Sequence, residues 1–341
     1  MRNTIKFYTT IQTMLQSYMR NIHPIIKETL KKIKSIKIQG ATNVAIATFE
    51  TVLMWLKETQ FSSVDHLYQQ TYKNLLLLAK ARPNEPLAVN GVRYFAYRFE
   101  QIKVEETLET HQQALKIIEN ILKEYLQIIA EAKKEIVKIG KRLLAPSQIV
   151  FTHCHSSTAE SVIIEANEFI PKTVIVTETR PLYQGRITAK NLLKYNINTI
   201  MIVDSAAARF IADDSYLPVD VILIGADEIL SEGDAINKVG SFSIGLASKL
   251  FNKPMYVVTP SLKLNTTADV NSIKIELRDP KEIWKDAPQE LKIINPAFDL
   301  IPRQFISAYL TEFGLVEPQE LFIKVKKKYH WITYPLKIDS I

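Results

Sequence analysis

Phe151-Thr152-His153-Cys154-His155-Ser156 holds the only cysteine among 341 residues. An apolar run, Gln148 to Phe151, precedes it and reads as a buried strand. Ala159 to Phe169 follows and reads as a helix. A polar, glycine-free turn between strand and helix is where an open α/β sheet presents its ligands. A thiol there can act as a nucleophile or carry a proton to and from carbon. It can equally be a small buried apolar residue, and one cysteine does not decide between the two. His153 and His155 flank it and are expected to point to opposite sides, which leaves at most one to assist the thiol. His155 is assigned no role.

Other apolar runs also end in reactive groups: Glu178-Thr179-Arg180-Pro181, Asp204-Ser205, Gly225-Ala226-Asp227-Glu228, and Thr259 to Lys263. If these runs are parallel strands, their ends gather on one edge with Cys154 and Ser156. A thiol, carboxylates, Arg180 and Lys263 in one crevice suit proton transfer on a phosphorylated small molecule. Plainer uses exist. Asp204 can cap the helix that begins at Ser205, and Glu178 and Arg180 can pair with each other. Gly240 can serve only a turn, or Asn237-Lys238 and the free amides of the helix leading into Ile244 can seat a phosphate. Asp227 is the better functional candidate, because desolvation beside a crevice lifts a carboxyl pKa towards a useful range.

The elements that position these groups change character near Pro146. Before it, Asn43–Leu56 and Val64–Lys80 show helical spacing of apolar residues. Ala81 to Pro86 reads as a proline-marked turn, and Glu105 to Leu144 as one long helix. After it, short apolar strands alternate with helices. The strands are Ile149–Thr152, Thr173–Thr177, Thr199–Val203, Val219–Ile224 and Pro254–Val258. The helices are Ala159–Phe169, Thr188–Tyr195, Ser205–Ile211 and Ile244–Phe251. The pattern predicts an α/β chain: a helical domain over 1–145, then a doubly wound parallel sheet over 146–341. No glycine-rich dinucleotide fingerprint follows the first strand.

Composition narrows the function classes. Hydrophobic residues make up 47% and charged residues 23%, which suits a folded chain of about two domains. One cysteine rules out an intrachain disulfide and a cysteine-cluster zinc site. Met1 to Arg20 lacks the apolar core of a signal peptide, and no apolar run is long enough to span a membrane, so a cytosolic protein is expected. The net charge is +7. Lys27, Lys31, Lys32, Lys34 and Lys37 read as a solvated helix face, and Lys326-Lys327-Lys328 as a surface loop. An attraction to phosphates is the functional alternative. No nucleic-acid-binding signature accompanies these charges.

Taken in order, Thr152 to Ser156, Thr177 to Pro181 with Gln184-Gly185, Gly225-Ala226-Asp227, Asn237 to Gly240, and Asn295 to Asp299 resemble one superfamily. It contains the regulatory subunits of translation initiation factor 2B, methylthioribose-1-phosphate isomerase and archaeal ribose-1,5-bisphosphate isomerase. The resemblance runs from about Ile36 to Phe322. It is strongest to the last branch, through His153 to Ser156 and Arg278-Asp279-Pro280. It implies a Rossmann-like second domain, a dimer or hexamer, and an aldose–ketose isomerisation that needs no cofactor or metal. In that scheme Cys154 carries a proton from C2 to C1. Asp227 opens the sugar ring and moves a proton between the C1 and C2 oxygens. Asn237 and Lys238 steady the oxyanion or a phosphate. Arg82 and Lys263 hold phosphate, and Gln39-Gly40-Ala41, Ser156 and Arg180 complete the substrate contacts.

The chain departs from the superfamily at three places. Gln39 stands where the enzymes have arginine, Glu232 where they have asparagine, and Phe313 where they have arginine. Losing one charge-assisted phosphate contact, worth roughly 1.5–3 kcal/mol, weakens binding by about ten- to a hundredfold. Two functions of different class follow. One is an isomerase acting on ribose 1,5-bisphosphate, or on methylthioribose 1-phosphate. The other is a non-catalytic regulatory subunit that binds the alpha subunit of initiation factor 2. Cys154 with Asp227 favours the enzyme; Gln39, Glu232 and Phe313 favour the subunit.

Overall fold

In a computed structural model of the chain, the residues described are 22–105, 110–170, 172–212, 215 and 217–336. The reading of Met1 to Arg20, and part of the helix expected from Glu105, lie outside them. Compactness divides the chain into two units. One comprises Met1–Arg82, Ala88–Leu126 and Tyr334–Ile341; the other comprises Pro83–Leu87 and Gln127–Thr333. These divisions fall elsewhere than the change of composition at Pro146.

The first unit is helical. It contains α1 (Pro24–Lys34), α2 (Ala41–Glu58), α3 (Val64–Ala79), most of α4 (Pro86–Glu105) and the start of α5 (His111–Leu143). Ser63 caps α3 by accepting the N–H of His66, which leaves one fewer orphan donor at that helix start. Sequence spacing did not predict α4. Pro86 reads as a breaker, yet it opens the helix, where its missing N–H costs nothing. Gly91 inside α4 is explained by packing: a Cβ there would collide with the buried Phe49 and Tyr125 rings. Lys37 lies beyond the end of α1.

The second unit is built on a seven-stranded sheet of order β10-β9-β7-β4-β1-β2-β3. Its strands are β1 (Ile149–Thr152), β2 (Thr173–Thr177), β3 (Asn198–Ile202), β4 (Val221–Ile224), β7 (Met255–Val258), β9 (Ala308–Thr311) and β10 (Gly314–Val316). All pairings are parallel except β9 with β10. The helices α6 (Ser157–Ala166), α7 (Gly185–Lys194), α8 (Ala207–Ala212), α9 (Ser241–Leu250) and α10 (Leu321–Lys328) accompany it. Val150, Val174, Val176, Val221 and Leu223 pack with Val162, Ile163 and Leu192 in one apolar core. The part of α5 in this unit approaches closely at Gly140, where a Cβ would meet Val162 and Leu310 within 2.8 Å.

A second, three-stranded antiparallel sheet was not foreseen. It has the order β5-β6-β8, from β5 (Glu228–Ile229), β6 (Ala235–Lys238) and β8 (Phe298–Ile301). Helices α6, α7 and α9 begin two to three residues before the starts expected at Ala159, Thr188 and Ile244. Lys326-Lys327-Lys328 is not a loop. It forms the last turn of α10, where cations complement the helix dipole. Among the described residues, no helix is long and apolar enough to cross a membrane.

Candidate active site

Because β1 and β4 are adjacent and parallel, the turns after them emerge side by side. The first carries Cys154, the second Asp227. Cys154 adopts the left-handed conformation, φ 66°, directly after the strand. Two hydroxyls hold it there: its N–H donates to Thr179 Oγ1 at 3.0 Å, and its carbonyl accepts from Thr188 Oγ1 at 2.9 Å. Burial pushes the thiol up to about 11. Lys238 and the His155 peptide N–H pull it down, while Asp227 and Asp204 add to the rise. The second turn is close-packed: a Cβ on Gly225 would lie 2.7 Å from the Cβ of Ser156, which itself caps α6 through Ala159 N–H. The Asp227 N–H donates to Ile236 O at 2.8 Å, which joins the strand end to the small sheet.

That sheet brings up Asn237 and Lys238, both buried at the end of β6. The Asn237 amide donates to Ser241 Oγ at 2.8 Å. The Lys238 ammonium lies 4.8 Å from the centroid of the Phe298 ring. Buried Lys263, on the turn after β7, donates to Ala226 O at 2.7 Å. Burial lowers its pKa, and Asp227 and Glu85 oppose that fall. Cys154, Ser156, Asp227, Asn237, Lys238 and Lys263 thus stand on neighbouring strand ends and their turns. Arg180 is half-buried on the turn after β2. Its guanidinium donates to Ile283 O at 3.0 Å and to the Tyr183 hydroxyl. Gln39, Gly40, Ala41 and Arg82 belong to the helical unit. Gly40, at φ 82°, precedes α2, and Gln39 O accepts from the Asn43 amide at 3.0 Å.

Several expectations need correction. Asp204 does not cap its own helix; its two oxygens accept the N–H groups of Thr179 at 2.7 Å and Arg180 at 2.6 Å. Glu178 pairs with Arg186 at 3.3 Å, not with Arg180. The start of α9 does not offer all its amides to a phosphate, because Asp299 Oδ2 already accepts from Gly240 N–H at 2.7 Å and Phe242 N–H at 3.0 Å. Glu232 pairs with Arg303 at 3.1 Å, and the Phe313 ring lies 6.0 Å from that of Tyr329.

His153 was underestimated. Its Nε2 must donate to Val239 O at 2.9 Å, since a carbonyl only accepts. Its Nδ1 then accepts from Thr177 Oγ1 at 2.6 Å in a neutral ring, and burial lowers its pKa. The imidazole therefore ties β1 to the turn before α9. A Cβ on Gly240 (φ 107°) would come within 2.9 Å of it. His155 does part from His153, though regular strand alternation places residues two apart on one face. The strand ends at Thr152 and Cys154 turns the chain, so His155 reaches Thr188 Oγ1 at 3.1 Å and Glu160 at 3.4 Å. Thr177, Thr179 and Glu228 stand in the motifs read from the sequence, but neither they nor Thr188 receive a role there, since a hydroxyl or a carboxylate carries no spacing signal of its own.

The profile of the initiation factor 2 subunit family matches residues 37–318. The chain belongs to that family. The ribose 1,5-bisphosphate isomerase of Methanocaldococcus jannaschii is 33% identical over 317 residues, covering 90% of this chain and 96% of that one. The methylthioribose-1-phosphate isomerase of Thermoanaerobacter pseudethanolicus is 31% identical, covering 86% and 88%. The solved translation initiation factor eIF-2B of Pyrococcus horikoshii OT3 superposes with a TM-score of 0.73 over 87% of this chain and 98% of that one. At 24% identity it speaks for the fold alone.

Proposed function

We propose that the protein is an aldose–ketose isomerase that converts ribose 1,5-bisphosphate to ribulose 1,5-bisphosphate. The observation that carries this reading is the placement of Cys154 and Asp227 on the turns that follow the adjacent parallel strands β1 and β4. A thiol and a carboxylate side by side provide one group for carbon-bound protons and one for oxygen-bound protons. The identity with the Methanocaldococcus jannaschii isomerase over nearly its whole length supports the choice of substrate.

Protonated Asp227 first gives its proton to the ring oxygen, and the C1–ring oxygen bond breaks. The Cys154 thiolate takes the proton from C2, and a C1–C2 double bond forms. Cys154 returns that proton to C1 while Asp227 takes the proton of the C2 hydroxyl, leaving a ketone at C2. Because the C1 oxygen carries phosphate, Asp227 shuttles between the ring oxygen and the C2 oxygen rather than between the C1 and C2 oxygens. Lys238 and Asn237 steady the negative charge that develops on the C2 oxygen. Lys263, Arg180 and Ser156 hold the phosphates.

Methylthioribose 1-phosphate is the second substrate candidate. It carries one phosphate, which suits a chain with Gln39 and Phe313 at positions where a bisphosphate enzyme has arginines, and a 31% identical relative carries that name. We place the protein in the cytoplasm as a homo-oligomer, a dimer or a hexamer. Exposed Phe242, Leu246 and Leu250 along one face of α9 support the oligomer. The test is isomerisation of both sugar phosphates by the wild type, Cys154→Ser and Asp227→Asn. Turnover that both substitutions abolish supports the reading. A folded wild type inert on both sugars overturns it in favour of a subunit that binds initiation factor 2 alpha, which a pull-down would then examine.

A further inference from the structure

His155 follows the cysteine directly and has no part in the reaction proposed above. Its ring is held by two helices. Nδ1 lies 3.1 Å from the Thr188 hydroxyl of α7 and 3.4 Å from Glu160 Oε2 of α6. Glu160 is itself fixed, since both of its oxygens accept from the Asn191 amide of α7, at 3.1 and 3.2 Å. These partners decide where the imidazole proton sits. Thr188 gives its single hydroxyl proton to the Cys154 carbonyl at 2.9 Å, so towards the imidazole it can only accept. The Glu160 carboxylate also only accepts. Nδ1 therefore carries a hydrogen, directed between Thr188 Oγ1 and Glu160. This is the reverse of His153, where Nε2 carries it. The line from Glu160 through His155 and Thr188 ends on the backbone of the residue that bears the thiol.

We propose that His155 is a positioning residue for Cys154: fixed by Glu160, its Nδ1–H turns the Thr188 hydroxyl onto the Cys154 carbonyl and so holds the thiol-bearing residue in its left-handed conformation. That conformation needs holding. Cys154 has φ 66°, and a residue with a side chain persists there only when its surroundings over-determine it. Thr179 Oγ1 fixes the amide side of Cys154, and Thr188 fixes the carbonyl side. A hydroxyl hydrogen rotates to suit its partners, and buried Thr188 has His155 to set the direction. Without the imidazole donor the hydroxyl is free to turn away, and the Cys154 turn loses one of its two holds. A misplacement of about 1 Å in a reacting group can cost on the order of a hundredfold in rate. The inference rests on the function proposed above for this rate consequence, though not for the tautomer or for the hold on the turn.

Two measurements on the full chain test it. Nitrogen NMR of protein carrying 15N-histidine reads the tautomer of His155, assigned by its loss in His155→Asn, at a pH high enough that the ring no longer titrates. The hydrogen is expected on Nδ1; a hydrogen on Nε2 overturns the proposal. The second measurement is a double-mutant cycle of His155→Phe and Thr188→Val, which remove the imidazole donor and the hydroxyl with little change of size. If the two act in series, each raises the rate at which iodoacetamide labels Cys154 about fivefold, the effect of one lost hydrogen bond on the opening of the turn. The pair together does no more than either alone. In the isomerase assay each lowers kcat on the order of tenfold with KM little changed, again without adding. His155→Asn, whose amide places a donor near that of Nδ1, and Thr188→Ser return both rates towards the wild type. Effects that multiply in the double variant, or a His155→Phe protein that labels like the wild type, overturn the proposal. An Nδ1–H tautomer and a series effect on labelling, in a protein inert on sugar phosphates, sustain it and sink only the substrate assignment.

Discussion

The thiol of Cys154 provides the sharpest quantitative test. Burial is the largest influence on it and places its pKa at about 11. At pH 7.5 a group of that pKa is ionised in roughly 3 molecules per 10,000, against about 1 in 10 for a free cysteine of pKa near 8.5. Only the thiolate alkylates, so iodoacetamide should label Cys154 about 300-fold more slowly than a free thiol. The rate should rise close to tenfold per pH unit between pH 7 and 10. As the chain has one cysteine, mass spectrometry reads a single site. Steric shielding alone would slow the reaction without moving the pH at which it levels off. Two substitutions separate the causes further. Asp227→Asn removes a carboxylate that raises the pKa and should accelerate labelling. Lys238→Met removes a cation that lowers it and should retard labelling. A rate that levels off near pH 8.5, or two variants that shift in the same direction, would refute this account.

Two further outcomes follow from the His153 region. Gly240→Ala forces a Cβ against the His153 ring at φ 107°, and should cost about 2 kcal/mol or more in urea unfolding. Burial depresses the His153 pKa below its unfolded value near 6.5, so the native state favours the neutral ring. The stability this ring contributes is then present above about pH 6.5 and is lost as pH falls below it, because the unfolded chain binds the proton more readily. A thermal melt followed from pH 8 to pH 5 should therefore fall less steeply for His153→Gln than for the wild type.

Much of this architecture is legible in the sequence. The core strands β1, β2 and β4 are apolar runs buried on both faces, and such runs announce a parallel sheet. The reactive residues follow directly from them, since parallel strands bring their ends to one edge. The strands of the small sheet do not announce themselves. Glu228–Ile229 is only two residues long, and Phe298–Ile301 pairs with β6 across a long sequence distance, so nothing local marks either. Partner choice is equally hidden. Asp204 sits before a run of alanines and looks like a cap, yet it serves the turn after β2 because β2 and β3 are neighbours. Asp299 closes the start of α9 from 57 residues away. Such pairings depend on tertiary proximity, and spacing along the chain cannot reveal them.

The small sheet has a consequence for how such proteins can diverge. The chain leaves the seven-stranded sheet after Ile224 and rejoins it at Met255, and β4 and β7 pair directly with each other. Residues 225–254 are thus a closed excursion, and they carry Asp227, Asn237 and Lys238. Their replacement would leave every strand pairing of the large sheet in place. A lineage could gain or forfeit proton chemistry within this stretch while keeping the scaffold, and with it any assembly the scaffold supports. Catalysts and purely structural subunits can therefore share one ancestry without either having to refold.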